Sequence, residues 1–273
     1  MTFAKAVRIV FLTCVCLLAL TRPAAAQGAA PIKDNSFLIE EAFNQEKGVV
    51  QHISTFNRPT SGSGSGWAFA FTQEWPVRGM RHQFSYTVPV TDAGSTGLGD
   101  IVLNYRYQLK GVDGGRVAVA PRLSLIVPSG DAAKGMGAGG PGVQTNLPVS
   151  IELDPRVTLH ANAGFTHTPS AKDASGNTAA TTAFGVGGSL IWLTSATFNV
   201  MLETTWASAE FVSGSRVTAR TESFVIAPGV RSAFNLSSGM QIVPGLAYVF
   251  GVGPSRRSNS LFLYFSVEHS FGR

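Results

Sequence analysis

Between Asp100 and Leu109 the side chains change character at almost every step. Ile101, Leu103, Tyr105, Tyr107 and Leu109 share one face, while Asp100, Asn104, Arg106 and Gln108 share the other, with Val102 the apolar exception. A strand turns successive side chains to opposite sides, so this stretch is a strand with one apolar and one polar face. A helix would scatter both sets around its circumference. The pattern recurs. Trp67, Phe69, Phe71 and Trp75 share a face, as do Phe84, Tyr86, Val88 and Val90. Leu147, Val149, Ile151 and Leu153 alternate with Asn146, Ser150 and Glu152; Phe198, Val200, Leu202 and Trp206 oppose Asn199, Glu203 and Thr205. Leu261, Leu263, Phe265, Val267 and Phe271 oppose Tyr264, Ser266, Glu268 and Ser270.

Twelve strands are predicted, at 48–57, 66–76, 80–90, 98–110, 116–127, 143–153, 156–167, 180–192, 196–207, 217–231, 239–250 and 259–271. About ten residues per strand suits a tilted membrane crossing. Gly185, Gly187 and Gly188 weaken the pattern over 179–191. Short links (around Pro76–Gly79, Gly111–Gly115, Asp154–Pro155, Leu193–Ser195 and Asn235–Ser238) alternate with longer ones at 58–65, 91–97, 128–142, 168–179, 208–216 and 251–258. Short periplasmic turns, long outer loops and an even strand count define an all-β, transmembrane, antiparallel up-and-down β-barrel. Ahead of the first strand, 34–47 reads as a short helix with Asp34 or Ser36 as cap and Gly48 as stop. Phe37, Leu38, Ile39 and Phe43 have no lipid face to serve there, so the segment 27–47 is expected to cover the periplasmic mouth or plug the barrel.

A soluble β-sandwich also alternates, but its outer faces meet water and carry more charge. Charged residues are only 14% of this chain. Trp67, Trp75, Tyr107, Trp192, Trp206, Tyr248 and Phe271 fall near strand ends, as interfacial girdles require. Residues 1–26 read as a secretory signal: Lys5 and Arg8, an apolar run from Ile9 to Leu20, then Ala24-Ala25-Ala26. Both cysteines, Cys14 and Cys16, lie inside it, so the processed chain would hold no disulfide or thiolate site. Losing Lys5, Arg8 and Arg22 takes the formal charge from +5 to +2, which gives nucleic-acid binding little support. The remainder, 48–273, is expected to be the barrel.

Several segments are familiar. SFLIEEAFNQEKGVVQH (36–52), FTQEWPV (71–77), HQFSYTVPV (82–90), GLGDIVLNYRYQL (97–109) and APRLSLIVPSG (120–130) together resemble the outer-membrane transporter family of the phenol meta-cleavage degradation pathway type. The resemblance implies an outer-membrane barrel that passes small, often aromatic or hydrophobic compounds. It implies no catalytic set and no cofactor.

Candidate chemistry is sparse. Gly135-Met136-Gly137-Ala138-Gly139-Gly140 fits a dinucleotide fingerprint in letters only, since Pro141 and a strand follow where a helix is needed. His167 and Ser170 lie at a loop, and His269 and Ser270 face opposite ways, so no triad emerges. His52, His82, His160, His167 and His269 form no dense ligand cluster and read as solvated or girdle histidines. Charge facing lipid at mid-depth costs about 2–4 kcal/mol, so polar-face residues should line the lumen. These are Asp100, Asn104, Arg106, Arg122, Glu152, Asn162, Glu203, Arg231 and Glu268. They form either a selectivity-setting pore lining or a salt-bridged filling of a narrow barrel. The functions that follow are passive diffusion of small solutes, a closed surface barrel, or an outer-membrane lipase. The expected partners are outer-membrane lipids, small-molecule solutes and the barrel-assembly machinery.

Overall fold

The computed structural model describes residues 32–33, 36–61, 66–92 and 94–271. The expected signal lies outside the described residues. The strands are β1 (Val49–Pro59), β2 (Trp67–Pro76), β3 (His82–Asp92), β4 (Thr96–Leu98), β5 (Ile101–Tyr107), β6 (Val117–Val119), β7 (Arg122–Val127), β8 (Gly142–Asp154), β9 (Val157–Lys172), β10 (Thr178–Leu193), β11 (Phe198–Gly214), β12 (Val217–Ser232), β13 (Phe234–Asn235), β14 (Gln241–Gly251) and β15 (Ser260–Ser270).

Each pairs antiparallel with its neighbour in the order β1-β2-β3-β5-β7-β8-β9-β10-β11-β12-β14-β15. β15 then pairs back onto β1 without a break, from Val49↔Ser270 to Pro59↔Ser260. Twelve strands therefore close into a barrel with no open edge, and each strand of this ring finds hydrogen-bond partners on both sides. The short β4, β6 and β13 pair with β3, β8 and β14, alongside the pairings that β5, β7 and β12 make with the same strands.

The distribution of side chains is inverted relative to a water-soluble domain. Among the largest fully buried side chains are Arg106, Arg231, His160 and Glu203. Leu123, Leu125, Val186, Trp192 and Leu202 are half or more exposed on the outside. A contiguous apolar exterior of this extent has no place in water and fits hydrocarbon.

The structure departs from the expected strands in three places. The strand expected over 116–127 is split into β6 and β7, because Pro121 has no N–H to give the ladder. The long links expected at 168–179 and 208–216 are mostly strand: β9 runs on to Lys172 and β11 to Gly214. A small inner cluster of Ala171, Ala179 and Val212 continues the packing there, and Asp173 Oδ1 closes the first turn by accepting from Ser175 and Asn177 N–H. The glycine-rich stretch 179–191 is a full strand. Gly187 must be bare, since an added Cβ would collide with Ile39 inside the barrel and lie 2.7 Å from the Thr204 carbonyl oxygen.

Candidate functional site

Residues 36–47 do not form the expected helix. They run as a bent, extended chain inside the barrel, held by inward side chains from around the ring. Phe37 and Leu38 N–H donate to the Glu203 carboxylate of β11 at 3.1–3.2 Å. Glu40 N–H donates to Asn162 Oδ1 on β9 at 2.8 Å, and Ala42 N–H to Ser150 Oγ on β8 at 2.8 Å. Asn44 N–H donates to Gln108 Oε1 at 3.0 Å, and Gln45 N–H to Gln83 Oε1 on β3 at 2.7 Å. A helix would satisfy these groups with its own carbonyls. Here wall side chains supply the acceptors, so the extended form leaves them no less satisfied.

The segment's carbonyls are met in the same way. Arg106 donates to the carbonyls of Glu41 at 3.0 Å and Phe43 at 2.6 Å. Asn162 donates to that of Glu40, and Asn199 and Arg231 to that of Ile32. His160 Nε2 lies 3.0 Å from the Lys33 carbonyl oxygen and Nδ1 2.6 Å from Ser150 Oγ. Facing a carbonyl, Nε2 must carry the proton, so Nδ1 accepts from the Ser150 hydroxyl.

Charge is concentrated on one side. Arg106, 2% exposed, faces Glu40 at 3.2 Å, Glu41 at 3.7 Å and Glu74 at 3.9 Å. Arg122 Nε donates to Glu40 at 2.8 Å, and its other nitrogens donate to Asn104, Ser124 and Gln144. Charges buried this deeply persist only when paired and fully hydrogen-bonded.

On the opposite side the packing around Phe37 is apolar. The Phe37 ring lies 5.3 Å from Tyr264 and 5.9 Å from Phe262, centroid to centroid. Its floor is backbone, because a Cβ on Gly245 or Gly229 would come within 2.5 or 2.7 Å of the ring. Ile191, Met201, Val243 and Ala247 complete this packing. Two open cavities flank residues 38–39: one of about 310 Å³ against Gln144, Asn146, Asn162 and Gly185, the other of about 250 Å³ against Thr55, Thr72, Glu74 and Thr87.

Of the residues singled out in the sequence, Arg106, Arg122, Asn162 and Glu203 converge on this segment, with Asn104 one step behind through Arg122, while Arg231 reaches the Ile32 carbonyl ahead of it. Glu152 pairs with Lys33 at 2.9 Å. Glu268 sits opposite Gln51 and Gln241 in the strand register. Asp100 stands apart: its carboxylate accepts from Gly130 and Ala138 N–H and pins the loop 128–141. His160 is not the solvated or girdle histidine expected; it is buried inside and holds the segment. Sequence reasoning missed Glu74, Gln83 and Ser150. Each lies opposite the apolar positions of its strand, so the alternation already pointed them inward.

Geometry and topology together define the class, a twelve-stranded barrel of the outer-membrane type with a chain segment across its interior. No protein-family model matches the sequence, and no curated protein matches it. Among solved structures, an outer-membrane channel from Pseudomonas putida F1 superposes with TM-score 0.62 at 10% identity, covering 84% of this chain and 98% of that one. The NanC porin superposes with TM-score 0.51 at 11% identity, covering 82% of this chain and all of that one. At such identities the likeness is one of fold.

Proposed function

We propose that the protein is an outer-membrane channel for passive diffusion of small solutes, apolar or aromatic ones among them, with residues 27–47 as its periplasmic plug. The observation that carries this reading is the course of residues 36–47, which cross the interior yet leave open cavities on both sides. Lumen-facing Arg106, Arg122, Asn162 and Glu203 would hold the plug and narrow the path. The apolar exterior supports a seat in outer-membrane lipid, reached through export and the barrel-assembly machinery. The two similar solved structures bear the names channel and porin. No catalytic role is proposed.

One observation favours a closed structural barrel instead: the wall engages the segment's polar groups so fully that nothing marks it as displaceable. Deleting residues 28–45 separates the readings. Single-channel conductance and liposome swelling with small aromatics should both rise in the deletion variant. Unchanged conductance would remove the plug, and no swelling from either protein would favour the closed barrel.

A further inference from the structure

The seam where the barrel closes carries a pair of imidazoles. His52 is on the first strand and His269 on the last, 217 positions apart in the chain. In the register His52 sits opposite Val267, and His269 is two residues further along β15. Alternation puts both side chains on the outer face, since Gln51, next to His52, and Ser266, three residues before His269, are buried inside. Diagonal neighbours across an antiparallel pair are within reach of long side chains.

Their Nε2 atoms are 3.2 Å apart, while the ring centroids are 5.3 Å apart and the planes only 20° from parallel. The rings therefore meet through their nitrogen edges. His269 Nδ1 lies 2.9 Å from the Ser270 carbonyl oxygen, so that nitrogen carries the proton and the Nε2 lone pair points at His52. A second hydrogen bond from the far ring nitrogen to a carbonyl is how proteins orient metal-bound histidines. Two nitrogens, each about 2.0–2.1 Å from a tetrahedral zinc ion, stand about 3.3–3.4 Å apart. The pair is within a few tenths of an ångström of that spacing. The Phe71 ring, 6.2 Å from His52, flanks the site.

We infer that His52 and His269 bind one divalent transition-metal ion of the imidazole-preferring kind, such as zinc or copper(II). His52 lies three residues after the start of β1 and His269 one before the end of β15, at the barrel rim, where solvent completes the coordination and the ion links the first strand to the last. Without metal, one shared proton bridges the two Nε2 atoms. With metal, His52 moves its proton to Nδ1, and both Nε2 lone pairs bind the ion.

The test uses the full processed protein, folded in detergent. Zinc is titrated by calorimetry, and copper(II) by electron paramagnetic resonance. One ion per barrel is expected, with copper hyperfine structure from two nitrogens. Zinc should also raise the temperature at which the folded, fast-migrating gel form converts to the slow one. His52→Gln and His269→Gln should each weaken binding by more than about tenfold and abolish the thermal shift, whereas His82→Gln should leave both unchanged. Retention of the folded gel form at low temperature shows that a variant has folded. If the wild type binds no metal, or either Gln variant that folds binds as the wild type does, the inference is overturned.

Discussion

The two halves of the barrel interior hold the same segment by opposite means. On the side of β2, β3, β5 and β7, Arg106 and Arg122 face Glu40, Glu41 and Glu74 amid amides and hydroxyls. On the side of β10, β11, β12, β14 and β15, Phe37 sits among Ile191, Met201, Val243, Phe262 and Tyr264. Losing one partner from the charged half leaves an uncompensated buried charge. Changing a contact around the Phe37 ring costs only area and fit, although the same half also holds the buried Glu203 and Arg231. The charged half should therefore fail abruptly under mutation, and the apolar half by degrees.

The sharpest way to break this contrast is Arg106→Met. It removes the guanidinium shared by three carboxylates and should destabilise the folded barrel by about 3–5 kcal/mol, read from urea unfolding followed by gel mobility. Adding Glu40→Gln and Glu74→Gln should recover part of that loss. A loss below about 1 kcal/mol for the single variant would mean that water, not Arg106, neutralises these acids.

A middling effect is expected from Gly245→Ala. The new Cβ would meet the Phe37 ring at 2.5 Å, so the ring must leave its place, at about 1–3 kcal/mol. The effect should fall on the segment, seen as faster protease cleavage between residues 36 and 47 while the barrel keeps its folded mobility. Equal protease resistance in variant and wild type would show that the apolar half is not what seats the segment.

The smallest effect belongs to Glu203→Gln, at the junction of the halves. Only one amide oxygen would remain for the N–H groups of Phe37 and Leu38, and no charge would strengthen the bonds. A loss of about 1–2 kcal/mol is expected, measured as faster hydrogen exchange at those two amides. Unaltered exchange would assign their protection to packing alone.

The barrel was legible because lipid enforces a simple rule on every strand. Outer positions must be apolar and inner ones are free to be polar, so Leu123, Leu125, Val200 and Leu202 announced their strands. The same rule located Arg106, Arg122, Glu203 and Arg231 on the inner face. It misled at the long links, because β9 to β12 are longer than the other strands and continue through them.

The segment 36–47 shows where such reasoning stops. Capping residues and a glycine stop describe a helix as far as local signals go. The barrel offers this stretch acceptors at Glu203, Asn162, Ser150, Gln108 and Gln83, and a ring-sized hollow over Gly229 and Gly245. Asp100 likewise had the polar alternation of a lumen residue, yet a loop some thirty positions later claims its carboxylate. His52 and His269 share a site only because the last strand returns to the first. By itself, then, the chain determined strand number, facing and the inward charges, since those obey a two-residue period set by lipid. Tertiary structure alone decided the course of 36–47, the partners of the buried charges and the seam, because each depends on groups brought together by barrel closure.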